Sequence, residues 1–101
     1  MLNRQVHIDQ QRIAGFCRKW KAAELSVFGS ALGPEFRSDS DIDILVSFLP
    51  QAKWSSFDLV DMQDELEAIF GRPVDMVEED TLRNPFRRQA ILSTKETLYA
   101  A

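Results

Sequence analysis

The chain has 101 residues, 45% apolar and 28% charged, a balance that excludes an intrinsically disordered chain and leaves enough length for one domain with a modest core. A formal net charge of −4 argues against a broad nucleic-acid footprint, which needs a basic face to displace counterions. No apolar run approaches the roughly 18 residues of a membrane span and the first residues lack a signal-peptide core, so a cytoplasmic protein with no membrane association is expected. The single cysteine excludes an internal disulfide framework.

In chain order, Asp9 is a fitting N-cap for a helix over about 10–21, in which Ile13, Phe16, Cys17 and Trp20 recur at helical spacing on one apolar side. Cys17 therefore reads as core packing rather than a reactive thiol. His7 has no second histidine or cysteine with which to share a metal and receives no function. A strand is expected at 24–28 and a second at 42–48, ended by Pro50. Trp54 and Phe57 lie in the polar connection that follows, as a lid, a partner contact or, the favoured reading, a flap packed on the core. Ser56 or Asp58 caps a second helix with Leu59, Met62, Leu66, Ile69 and Phe70 inward, and Asp61, Asp64, Glu65 and Glu67 on a solvated face; Gly71 and Pro73 stop it. A third strand is expected at 74–77. Asn84 caps a third helix with Pro85 first and Phe86, Ala90 and Ile91 inward. A last edge strand is placed at 97–100. Arg83, Arg87 and Arg88 form a basic cluster, read as a solvated face or an interface rim in preference to an RNA contact. The fold class is α/β (α+β): one domain over 1–101, a small mixed sheet of about four strands with three helices packed on it.

Chemistry concentrates between the first two strands. Gly29-Ser30 follows the apolar run Leu25-Ser26-Val27-Phe28, where glycine lets the backbone approach a ligand and successive N–H groups form a concavity suited to phosphate oxygens. Ten residues later, Asp41 and Asp43 flank Ile42. On a strand, alternate side chains share a face, roughly 6.5 to 7 Å apart, so both carboxylates reach toward one space. Two like charges so placed call for a divalent metal, a raised pKa or full solvation. Asp39, Asp41 and Asp43 also mimic the start of an EF-hand loop. That loop needs glycine at its sixth position and glutamate at its twelfth, where this chain has Ile44 and Pro50. Asp75 is a charge inside a short apolar strand, unfavourable to bury alone. Its sensible partner is a cation held by Asp41 and Asp43; the alternative is an edge aspartate facing water.

Phe28-Gly29-Ser30, then Ser40-Asp41-Ile42-Asp43-Ile44-Leu45-Val46, then Phe57 to Leu66 and Gly71-Arg72-Pro73-Val74-Asp75-Met76-Val77, resemble the minimal nucleotidyltransferases of the DNA polymerase beta-like superfamily. More narrowly, the chain is similar to the MNT antitoxins paired with HEPN ribonuclease toxins, over about residues 9–99. The resemblance implies that Gly29, Ser30 and Ser40 hold the nucleotide, that Asp41 and Asp43 bind magnesium, and that Asp75 is the third acid, sharing a metal and helping to deprotonate the acceptor. Two magnesium ions are implied. The implied function is an antitoxin that transfers AMP from ATP-Mg to a hydroxyl, a tyrosine in the first instance, of a cognate HEPN toxin. Two other functions are open: an antitoxin that neutralises by binding alone, and transfer to a small molecule. Many members of that family carry arginine directly after Gly-Ser and another basic residue soon after; here stand Ala31 and Leu32, and Arg37 or a partner is the expected substitute cation.

Overall fold

The computed structural model describes residues 2, 6–34, 36, 37 and 39–101; part of the N-terminal stretch read above for a signal sequence lies outside them. Asp9 accepts a hydrogen bond from the Arg12 N–H and starts helix α1 (Gln10–Lys19). The helix is shorter than its apolar pattern predicts. Lys21 adopts φ 57°, a left-handed conformation, and its carbonyl accepts from the Leu49 N–H at 2.9 Å, so the chain turns straight into strand β1 (Ala22–Phe28). A 3-10 turn, Gly29–Leu32, and a loop lead to strand β2 (Ile42–Phe48). Helix α2 (Ser56–Phe70) follows, then strand β3 (Val74–Glu78), a second 3-10 turn (Glu79–Thr81), helix α3 (Pro85–Thr94) and strand β4 (Glu96–Ala100).

The sheet order is β3-β2-β1-β4, antiparallel except for the parallel pair β2–β3. Strand alternation splits its side chains into two sets. Leu25, Val27, Ile42, Ile44 and Val46 meet Ile13, Phe16 and Cys17 of α1 and Met62, Leu66 and Phe70 of α2 in the larger core. Phe28 and Leu45 point the other way and pack with Leu82 and with Ile91 of α3. A fully buried leucine or isoleucine contributes about 1.5–3 kcal/mol, so the first face carries most of the stability. Cys17 is enclosed there, and burial pushes its thiol up to about 12, as expected of a packing residue.

Several inward assignments are corrected. Helix α2 is capped by Ser55 rather than Ser56 or Asp58; Ser55 Oγ accepts from the Asp58 N–H while the Asp58 carboxylate accepts from the Ser55 N–H. Phe57 is 84% exposed, because it stands five residues before Met62 and hence about 140° away around the helix. Trp54, by contrast, packs edge-on to Trp20 and Phe48. Phe86, five residues before Ile91, is 86% exposed for the same reason, and Ala90 is exposed as well. Gly71 caps α2 in the left-handed conformation at φ 70°.

Buried Ser26 faces α3's side of the sheet and donates to Glu24, which also accepts from Thr97 Oγ1 and, at 2.6 Å, from Lys95 Nζ. The Lys95 hydrogen bond leads the causes that hold the Glu24 carboxyl below its ordinary range. A lowered folded-state pKa contributes stability that is present above the unfolded pKa and lost as pH falls through the folded one. Glu24→Gln is therefore expected to lower Tm at pH 7, with the deficit closing below about pH 4; thermal melts across pH check this, and a deficit that does not change with pH would assign the effect to packing.

Candidate active site

Parallel pairing of β2 with β3 sets Asp43 directly beside Asp75 in the ladder. Neighbouring strands lie about 4.8 Å apart, and Asp41, two residues before Asp43, projects to the same side. That side is the one covered further along by α3. Asp43 is half-buried while Asp41 and Asp75 are exposed, so the three acids form a step from the edge of the small core to solvent. Burial foremost, then the charges of Asp75 and Asp41, push the Asp43 carboxyl above its ordinary pKa, with Arg87 of α3 pulling the other way. Like charges are thus gathered on one face, and the backbone is what gathers them.

The Gly29-Ser30 turn meets the acids directly. Phe28 pairs with Asp43 across β1 and β2, which carries Gly29 over the Asp43 side chain. A methyl group on Gly29 would overlap Asp43 Oδ2 and lie 3.3 Å from its Cγ, and φ there is +73°, so glycine is required twice over. Ser30 is exposed, and among the described residues nothing engages its hydroxyl. The Ser30 carbonyl accepts from the Gly33 N–H at 3.0 Å, closing the turn. The positions where many family members carry basic residues are turned inward: Ala31 is fully buried and Leu32 packs against the core.

Two arginines contribute what motif reading assigned elsewhere. Arg87, placed by the basic cluster on a solvated face or rim, brings its charge to bear on Asp43. Arg72 donates to the carbonyls of Arg37 (2.9 Å) and Ser40 (3.2 Å) and lies over the Phe36 ring at 4.5 Å. The Arg37 N–H in turn donates to Ser40 Oγ at 3.0 Å. Ser40 therefore organises the loop that presents Asp41, and Arg37 is exposed on that loop. Arg72 sat in plain view within Gly71-Arg72-Pro73-Val74, but its role depends on a contact about 35 residues away in the chain that no spacing rule encodes.

Among the described residues no three acidic, histidine or cysteine side chains close tightly on a common point. The strands bring Asp41, Asp43 and Asp75 to one place; a cation would have to draw their oxygens together. The donor set suits a hard divalent ion, being all carboxylate oxygen, and the charges of Asp75 and Asp41 add to burial in raising the Asp43 pKa, against the opposing charge of Arg87.

The Gly29-Ser30 turn thus lies against acids on adjacent strands, and the chain matches the Nucleotidyltransferase domain over residues 11–97. It belongs to that family. It is 33% identical over 76 residues to protein adenylyltransferase MntA of Thermococcus cleftensis, a match covering 75% of this chain and 72% of that one. Its fold matches a chain of a toxin–antitoxin crystallised with AMP-PNP, with TM-score 0.72 at 19% identity, over 93% of this chain and 75% of the other. It also matches a chain of the tri-AMPylated HEPN toxin of Shewanella oneidensis in complex with MNT antitoxin, with TM-score 0.64 at 18% identity, over 91% and 70%. At these identities the two complexes show likeness of fold alone.

The raised Asp43 pKa has a consequence for stability. A carboxylate whose folded pKa exceeds its unfolded value binds its proton more tightly when folded, so ionised Asp43 costs stability above that pKa and the cost disappears as pH falls through it. In protein stripped of divalent ions, Asp43→Asn is expected to raise Tm at pH 7 and to match the parent at acid pH. A lower Tm for the variant at pH 7 would make the aspartate a structural group.

Proposed function

We propose that the protein is a protein adenylyltransferase acting as an antitoxin, which transfers AMP from ATP to a hydroxyl of a HEPN toxin, a tyrosine in the first instance. One observation carries the reading: Asp43 and Asp75 share a ladder position, with Asp41 beside them, directly across from the Gly29-Ser30 turn. The relative named protein adenylyltransferase MntA supports the reaction, and the fold match to an AMPylated toxin complex supports the acceptor.

In this reading the N–H groups of the turn and the Ser30 hydroxyl hold the triphosphate, since Gly29 and Ser30 are exposed beside the acids. Asp41 and Asp43 are the ligands for magnesium, with Asp75 completing the set. Magnesium held by these carboxylates would supply charge neutralisation to the attacking and leaving oxygens. Asp75, exposed at the open side, takes the proton of the acceptor hydroxyl. The hydroxyl oxygen bonds to the α-phosphorus, the bond from that phosphorus to the β-phosphate bridge breaks, and pyrophosphate leaves. Positioning and charge carry such a reaction, and little covalent chemistry is asked of the protein. Arg87 supplies positive charge at a site where Ala31 and Leu32 supply none. The cytoplasm, where ATP and magnesium are abundant, is the proposed compartment, and no membrane or nucleic-acid partner is needed; among the described residues no helix is long and apolar enough to cross a membrane.

Incubation with α-labelled ATP, magnesium and the co-encoded HEPN protein is expected to label that protein on a hydroxyl side chain. Asp43→Asn or Asp75→Asn is expected to reduce labelling about 100- to 1,000-fold, the loss typical of removing one charge-stabilising group. Neutralisation of the toxin by both variants, without label, would instead identify a blocker that acts by binding.

A further inference from the structure

A groove of about 500 Å³ runs beside β3, walled by α2 through Leu59, Val60 and Gln63, floored by Met76 and Val77, and closed on the α3 side by Arg87. It lies along the outermost strand of the sheet, whose far edge pairs with no other described strand. The large apolar side chains most exposed among the described residues are Phe57 (84%), Val60 (60%) and Phe86 (86%). Val60 lines the groove, Phe57 stands one turn before it on α2, and Phe86 directly precedes the groove-lining Arg87 in the first turn of α3. Isolated exposed leucines or valines need no explanation, but large apolar groups gathered at a groove mark a contact surface.

The occupant follows from two features. First, the groove is continuous with the acids: Val77 lies two residues beyond Asp75 on the same face of β3, and Arg87 both lines the groove and acts on Asp43. A chain seated there ends one strand step from Asp75. Second, acids outnumber bases in the lining: Asp64 of α2 and Glu78 of β3 stand against Arg87, and the exposed Asp61 lies just outside the groove on the helical face that Asp64 shares with Phe57 and Val60. A matching segment therefore presents an apolar side chain with basic neighbours.

We propose that this groove docks the acceptor protein, seating an apolar side chain flanked by lysine or arginine, so that the hydroxyl arrives beside Asp75. The inference rests on the adenylyltransferase reading and adds where the acceptor binds. The acid site alone fixes only the nucleotide end of the reaction; the groove fixes the other.

Phe57→Ser with Val60→Ser, and separately Asp61→Lys with Asp64→Lys, alter exposed or groove-wall side chains and leave the buried core untouched. Two readouts are taken for each: calorimetric affinity for the co-encoded HEPN protein, and transfer of label as a function of both ATP and acceptor concentration. Docking in the groove predicts at least tenfold weaker binding and a matching rise in KM for the acceptor, with KM for ATP and Tm unchanged. Unaltered acceptor affinity in both variants would overturn the proposal, as would a rise in KM for ATP alone. Conversion of a dimeric parent to monomer with acceptor affinity intact would also overturn it, assigning the face to a second copy. Because affinity is read without turnover, weakened binding in the variants alongside an unlabelled acceptor with the parent would refute adenylyl transfer and leave the docking surface standing.

Discussion

Three carboxylates held on one face by backbone geometry are the constraint around which the fold makes sense. Parallel pairing of β2 with β3 leaves Asp43 and Asp75 no choice but to be neighbours, and alternation along β2 adds Asp41. Burying Asp43 and setting it beside two like charges is unfavourable, and both push its pKa up, burial foremost. A fold under selection for stability alone would have placed an apolar or polar neutral side chain at one of these positions. The arrangement is instead maintained by a core on the opposite face, where Ile42, Ile44, Val46 and Val74 anchor the same two strands against α1 and α2.

The connections that frame the acids are tied down at few points. Glu67 Oε2 accepts from the Val74 N–H, Pro73 O accepts from the Ile42 N–H, and Arg72 clasps the carbonyls of Arg37 and Ser40. Together they join the end of α2 to the start of both acid-bearing strands. On the other side, Gly29 lets the backbone lie against Asp43, so turn and acid pair are a single packed unit. Charge on α3 completes the frame: Arg88 reaches Glu79, and Glu79 lies within 4.0 Å of Lys95, which joins Glu24. Ile91, packed with Phe28 and Leu45, holds α3 over the sheet, and from that helix the charge of Arg87 bears on Asp43.

Much of this was legible before any coordinates. Helical spacing located all three helices, turn residues bounded the strands, and Gly-Ser with Asp-x-Asp marked the two segments that the fold brings into contact, because local periodicity and turn chemistry are written in short windows. Asp75 stood out as a charge in an apolar strand, and β3 places it beside Asp43. What eluded the sequence was set by phase and by distant contacts. Phe57 and Phe86 look inward by composition, yet each is rotated about 140° from the residue that packs. The motif assigns Ser40 to the nucleotide but does not encode the loop contacts its Oγ and carbonyl make with Arg37 and Arg72. Arg87 appeared as one of three surface arginines; only the packing of α3 over the sheet turns it toward Asp43. The inward burial of Ala31 likewise explains in steric terms why a basic residue at that position has no room here.

The central claim is that Asp41, Asp43 and Asp75 form one site for a divalent cation, and cation-dependent stabilisation tests it most directly, because an ion that binds only the folded state raises Tm by mass action. Thermal melts of the metal-free protein are titrated with manganese or magnesium in the presence of AMP-PNP, alongside Asp41→Asn, Asp43→Asn and Asp75→Asn. A Tm that climbs with cation concentration in the parent and stays flat in each of the three variants is the predicted result. An equal climb in Asp75→Asn would separate that residue from the other two and contradict the account.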